Sequence, residues 1–68
     1  MKIPELTPRE MLILQMICKE YTNAQIAKKL NLSIRTVEVH RGKLIAKIGA
    51  RNILGVFRYA LKQGWVKL

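Results

Sequence analysis

The sequence predicts an all-α chain of four short helices, and three observations carry that expectation. Apolar residues recur at three- and four-residue spacing, with no strand-like alternation. Capping residues stand ahead of each apolar stretch, at Thr7, Thr22, Ser33 and Asn52. Asn31, Gly49 and Gly64 follow three of those stretches as stop signals. With 68 residues there is room for one domain and one small core.

Residues 1–6 read as a lead-in. Thr7-Pro8-Arg9-Glu10 combines a capping Thr, a Pro at the first helical position and a Glu three residues after the cap. It opens a helix over about 8–19. Nearly every position from 11 to 18 is apolar, so this helix is expected to be buried on more than one side. Thr22-Asn23-Ala24-Gln25 is a second capping box and starts a helix over 23–30. Ile26, Ala27 and Leu30 face inward, and Lys28 and Lys29 face out. Ser33 caps a third helix, 34–48, closed by Gly49. Asn52 caps a fourth, 53–63, closed by Gly64, after which Trp65 is expected to fold back onto the core.

The connection between the second and third helices is three residues long, which forces a steep crossing, as in a helix-turn-helix. Ala27 is small where the two helices touch. Asn31 tolerates the positive φ of the turn, and Val37 lies on the buried side of the third helix. A plain helical hairpin shares this spacing.

Composition narrows the function classes. Thirteen Lys and Arg against four Glu give a net charge of +9, which points to a polyanion, a nucleic acid before an anionic membrane surface. There is no Asp, one His (His40) and one Cys (Cys18), so no metal site, no cofactor and no disulfide is expected. No nucleophile–base pair, carboxylate pair or phosphate loop can be assembled, so the chain does not read as an enzyme. No apolar run is long enough for a bilayer, and the start does not read as a signal peptide. A reducing cytosol fits the cysteine usage.

On a helical wheel, Val37, Leu44 and Ile48 form the core stripe of the third helix, flanked by His40 and Arg41. The opposite face carries Arg35, Val39, Gly42, Lys43 and Ala46, with Glu38 at one edge. Small residues there let the helix approach another surface closely. In a major groove, Arg35 or Lys43 could donate to guanine, Val39 could touch a thymine methyl, and Glu38 could accept from cytosine. A solvated basic face is the plainer alternative. Six cations and one anion lie between residues 22 and 48, counting Lys28, Lys29, Arg35, Arg41, Lys43 and Lys47 against Glu38. The N-termini of the second and third helices, with Thr22, Asn23 and Thr36 beside them, could hold phosphates.

Cys18 reads as a small buried hydrophobe. His40 is expected to pack between helices with one ring hydrogen bond. In the fourth helix Val56 and Ala60 mark the core centre, joined by Ile53 and Phe57. Leu54 and Leu61 lie past the edge of a normal stripe, with Arg58 beside them. They form either a wide core face or a small two-fold contact, weak in the isolated chain.

These segments resemble the LuxR/FixJ/GerE-type DNA-binding domain of bacterial transcriptional regulators. The matching stretches are Leu6-Thr7-Pro8-Arg9-Glu10, Thr22 to Ala27, Leu32 to His40, Leu44 to Asn52, and Arg58-Tyr59-Ala60-Leu61. The resemblance implies a four-helix, winged-helix-like domain without wing strands, binding double-stranded DNA as a dimer. The third helix would lie in the major groove, and the fourth would make the dimer contact. By position, Glu38, Val39 and Gly42 would touch bases, Arg35 and Lys43 would lie near bases or phosphates, and Asn23, Thr36 and Lys47 would position the backbone. Three departures from relatives stand out: Gly42 where several carry a long polar side chain, Glu38 where some carry a cation, and Asn31 where many carry Gly. The expected function is transcription regulation in a bacterial cytoplasm, by a homodimer on a palindromic site that recruits or blocks RNA polymerase. A protein-interaction module on the same scaffold is the alternative. A free-standing regulator and a piece of a longer one fit the sequence equally.

Overall fold

The structure, a computed structural model, describes residues 5–67. Four helices follow in order: α1 Pro8–Cys18, α2 Asn23–Leu30, α3 Ile34–Ile48 and α4 Ile53–Gln63. No strand occurs among the described residues. Of the lead-in, residues 1–4 lie outside the described residues, and Glu5 to Thr7 are not helical. α1 ends one residue earlier than the sequence predicts.

Each start is made by the expected side chain. The Thr7 hydroxyl accepts the Glu10 amide at 3.1 Å, and the Glu10 carboxylate accepts the Thr7 amide at 2.9 Å. Thr22 and Gln25 repeat the exchange at 3.1 and 2.8 Å. Ser33 accepts the Thr36 amide at 3.0 Å, and Asn52 accepts the Gly55 amide at 3.2 Å. These bonds satisfy backbone donors that no helix can pair internally.

All four helices end in the same way. A residue with positive φ closes the last turn: Glu20, Asn31, Gly49 or Gly64. The following amide, on Tyr21, Leu32, Ala50 or Trp65, bonds back to the carbonyl of Met16, Ala27, Ile45 or Ala60 at 2.8–3.1 Å. That pairing satisfies carbonyls left open at the helix end and folds a larger or apolar side chain onto it. Glu20 is the unexpected member, because its Cβ makes φ +66° costly by about 1 kcal/mol.

The core is Ile13, Leu14, Met16, Ile26, Ala27, Val37, Leu44, Val56 and Ala60. α3 is the central element and packs against each of the other three helices. α1 packs against both α3 and α4, in keeping with its near-continuous apolar run, and of positions 11–18 only Leu12 is exposed, at 42%. Trp65 packs edge-to-face on Tyr59 with ring centroids 5.5 Å apart, and closes the open end of the core. Gly55 answers to packing: a Cβ there would stand 2.9 Å from the Ala50 Cβ, so α4 begins in close contact with the loop before it.

Candidate nucleic-acid interface

α3 is held by its buried stripe, Val37 and Leu44, which leaves the opposite side to solvent. Arg35, Glu38, Val39, Gly42, Lys43 and Ala46 are all exposed and share that side. Val39 is 43% exposed although β-branched and apolar. A Cβ added at Gly42 would meet nothing within 4 Å. The chain's own packing therefore does not require glycine there.

The face carries one acid–base pair, Arg35 Nη1 to Glu38 Oε1 at 3.7 Å, one turn apart. At that distance, with the Arg35 side chain 84% exposed, the pair is loose and screened by solvent. The ion pairs among the described residues are this one and Lys47–Glu10, so Lys28, Lys29, Arg41 and Lys43 keep their charge uncompensated by a carboxylate.

The N-termini of α2 and α3 point in the same sense for charge. Neither carries an acidic residue in its first turn, a trait shared by α4. The partial positive charge at each start is left for an outside anion. Thr22 is exposed beside α2, and Thr36 is half-buried with its hydroxyl 2.9 Å from Ser33 Oγ. Asn23 Oδ1 is buried and has no hydrogen-bond partner among the described residues. Lys29 lies over the Tyr21 ring, 5.6 Å from its centroid, a contact that sequence spacing does not announce.

Lys47 does not stand free at the surface. Its ammonium donates to Glu10 Oε1 at 2.6 Å and reaches the Glu5 carbonyl at 3.5 Å. A phosphate contact by Lys47, as expected from the sequence, would compete with this structural tie. The Glu10 carboxyl is buried, and the Lys47 ammonium beside it holds its pKa below the usual glutamate value, with help from the Thr7 amide and against the cost of burial. A signal was present in the sequence: Glu10 falls among apolar neighbours of α1, where an acid needs a partner.

His40 is half-buried, as expected, but its Nδ1 is enclosed without a partner, so that nitrogen does not make the predicted ring hydrogen bond. Burial pushes the Cys18 thiol up, away from the thiolate that reactivity needs. No group of three or more His, Cys, Asp or Glu gathers among the described residues. No helix there is long and apolar enough to cross a membrane.

On α4, Val56 and Ala60 are fully buried, as predicted. Leu54 is 63% exposed, which removes it from any core face, while Leu61 is half-buried and Arg58 exposed. Leu54 also lines a groove of about 450 Å³ with Ile17, Cys18, Glu20, Ile53 and Phe57.

Two helices joined by a tight left-handed turn, the second presenting a basic, closely approachable face, define a helix-turn-helix DNA-binding domain of the regulator class. The chain belongs to the luxR family of bacterial regulatory proteins, whose family model GerE matches residues 4–60. It is 41% identical over 58 residues to the oxygen regulatory protein NreC of Staphylococcus aureus strain JH9, and equally to that of strain USA300. The match takes in 85% of this chain and 27% of NreC. In three dimensions it is similar to a Vibrio cholera VqmA–ligand–DNA complex, with a TM-score of 0.89 and 29% identity. That likeness covers 100% of this chain and 30% of the VqmA chain. The chain thus spans between a quarter and a third of the length of the relatives it matches.

Proposed function

We propose that the chain reads double-stranded DNA by laying α3 in the major groove, and that it does so as a homodimer on a palindromic site. The observation that carries this is the exposed face of α3. Arg35, Glu38, Val39, Gly42 and Lys43 stand there together, and the fold uses none of them for its core. Arg35 and Lys43 supply donors for guanine, Glu38 an acceptor for cytosine, and Val39 an apolar contact for thymine. Gly42 brings the helix backbone close to the base edges. Thr22, Asn23 and Thr36, with the starts of α2 and α3, hold the phosphates. The VqmA structure, itself a DNA complex, supports DNA as the partner for a chain of the same fold.

The dimer contact is assigned to Leu54, Arg58 and Leu61. Leu54 is the most exposed large apolar side chain among the described residues. The patch is small, so the isolated chain is expected to be monomeric in solution and to pair on DNA, over half-sites about one helical turn apart. Sedimentation that finds a tight free dimer at low micromolar concentration contradicts this. Regulation then follows from occupancy, by recruiting or blocking RNA polymerase in a bacterial cytoplasm.

Selection from a random duplex library, followed by binding at two salt concentrations, tests the reading. A palindromic consensus with a steep salt slope supports it. Salt-sensitive binding without a consensus removes the base-reading assignment. No binding at all turns the same face into a protein-interaction surface.

A further inference from the structure

We propose that Ile34 is a further base-reading residue, packing on the C5 methyl of a thymine at a different base pair from the one met by Val39. The inference rests on the placement of α3 in the major groove given above. Ile34 is the first residue of α3 and is 49% exposed. The large apolar side chains exposed among the described residues are Leu12, Ile34, Val39 and Leu54, so two of the four lie on this one helix. Ile34 is not among the side chains packed against the core, whereas Ile45 and Ile48 of the same helix are.

The fold has no use for a branched apolar side chain at that position. Ser33 and Thr36 start the helix between them, through a hydroxyl–hydroxyl contact and a bond from the Thr36 amide to the Ser33 hydroxyl. The first helical turn favours Pro, or an acid facing the helix dipole, over a β-branched residue. What Ile34 offers is a methyl-rich tip at the end of the helix that reaches base edges first. On the wheel it stands about 40° from Glu38, one turn before it. Along the axis it precedes Val39 by about 7.5 Å, more than the 3.4 Å between base pairs. The apolar group that the major groove presents is the thymine methyl.

The test removes one methyl from each side. Each thymine of the selected duplex is replaced in turn by deoxyuridine, which lacks only the C5 methyl. Binding of the 68-residue chain is then measured for the wild type, Ile34→Val and Ile34→Ala. The expected result is one thymine per half-site, separate from the one met by Val39, whose replacement weakens wild-type binding about fourfold, the value of one buried methyl group. Ile34→Val keeps that loss in part, and Ile34→Ala abolishes it. Thermal melting confirms that Ile34→Ala folds, as its exposure leads one to expect. Equal losses for wild type and Ile34→Ala at every thymine overturn the proposal while leaving the DNA-reading function intact. Failure to select any consensus overturns both.

Discussion

One oxygen of Glu10 accepts both the Thr7 amide and the Lys47 ammonium. It caps α1 and also ties α1 to the last turn of α3. Removing either partner leaves a charge short of compensation. Breaking a fully buried pair costs about 3–5 kcal/mol, and because the Lys47 side chain is 39% exposed, roughly 2 kcal/mol is expected here. Glu10→Gln and Lys47→Met should each lower the denaturant midpoint by a corresponding amount, and the double variant should lose less than the sum. A simple sum would mean that the contact is not coupled. The pair also sets a pH dependence. The folded pKa of Glu10 lies below its ordinary value of 4.5, so its contribution is complete above that value and is lost as the pH falls through the folded pKa. Glu10→Gln should flatten the acid limb of the stability curve. The capping half of this arrangement was legible because its partners are three residues apart. The ion-pair half spans 37 residues: the setting of Glu10 signals the need for a partner, but no local pattern names Lys47 as that partner.

Among the elements, α3 and α4 differ in what they ask of glycine. Gly42 faces open space on α3, so Gly42→Ala should stabilise the fold by about 0.5–1 kcal/mol, seen as a higher melting temperature. If α3 lies close in a groove, the same change weakens DNA binding, and stability and affinity move in opposite directions. Unchanged affinity would place the groove wall further away. Gly55→Ala should instead destabilise by about 1–3 kcal/mol, because the Ala50 Cβ that it meets cannot rotate aside. The helices were legible to within a residue because each capping signal lies within a few positions of what it caps. The end of α1 was the exception. Glu20 occupies the left-handed position without a glycine to mark it. The exposure of Leu12 escaped for a related reason: an almost continuous apolar run carries no period that says which side is left out.

At the scale of the whole molecule, the charge total foretold a polyanion partner, but only the fold says which cations are available to it. Lys43 has no carboxylate partner among the described residues, while Lys47 is bound to Glu10. Lys43→Gln should therefore lower the magnitude of the salt slope by about 1 per half-site. Lys47→Gln, measured where it remains folded, should leave the slope unchanged. Equal effects would mean that Lys47 exchanges Glu10 for a phosphate on binding. The candidate reading face was legible from the wheel, since a buried stripe on one side of a helix fixes what lies opposite. Ile34 was not, because end effects, not angle, decide its exposure.

Lys47 reaches past Glu10 to the carbonyl of Glu5, where the chain leads into α1. The entry to the domain is thereby moored to α3, the central helix. A pull on the chain ahead of Thr7 loads this mooring, rooted in the final turn of α3, before it can peel α1 from the core. In a single-molecule stretch applied at that end, the first barrier should report the Lys47 contacts to Glu5 and Glu10.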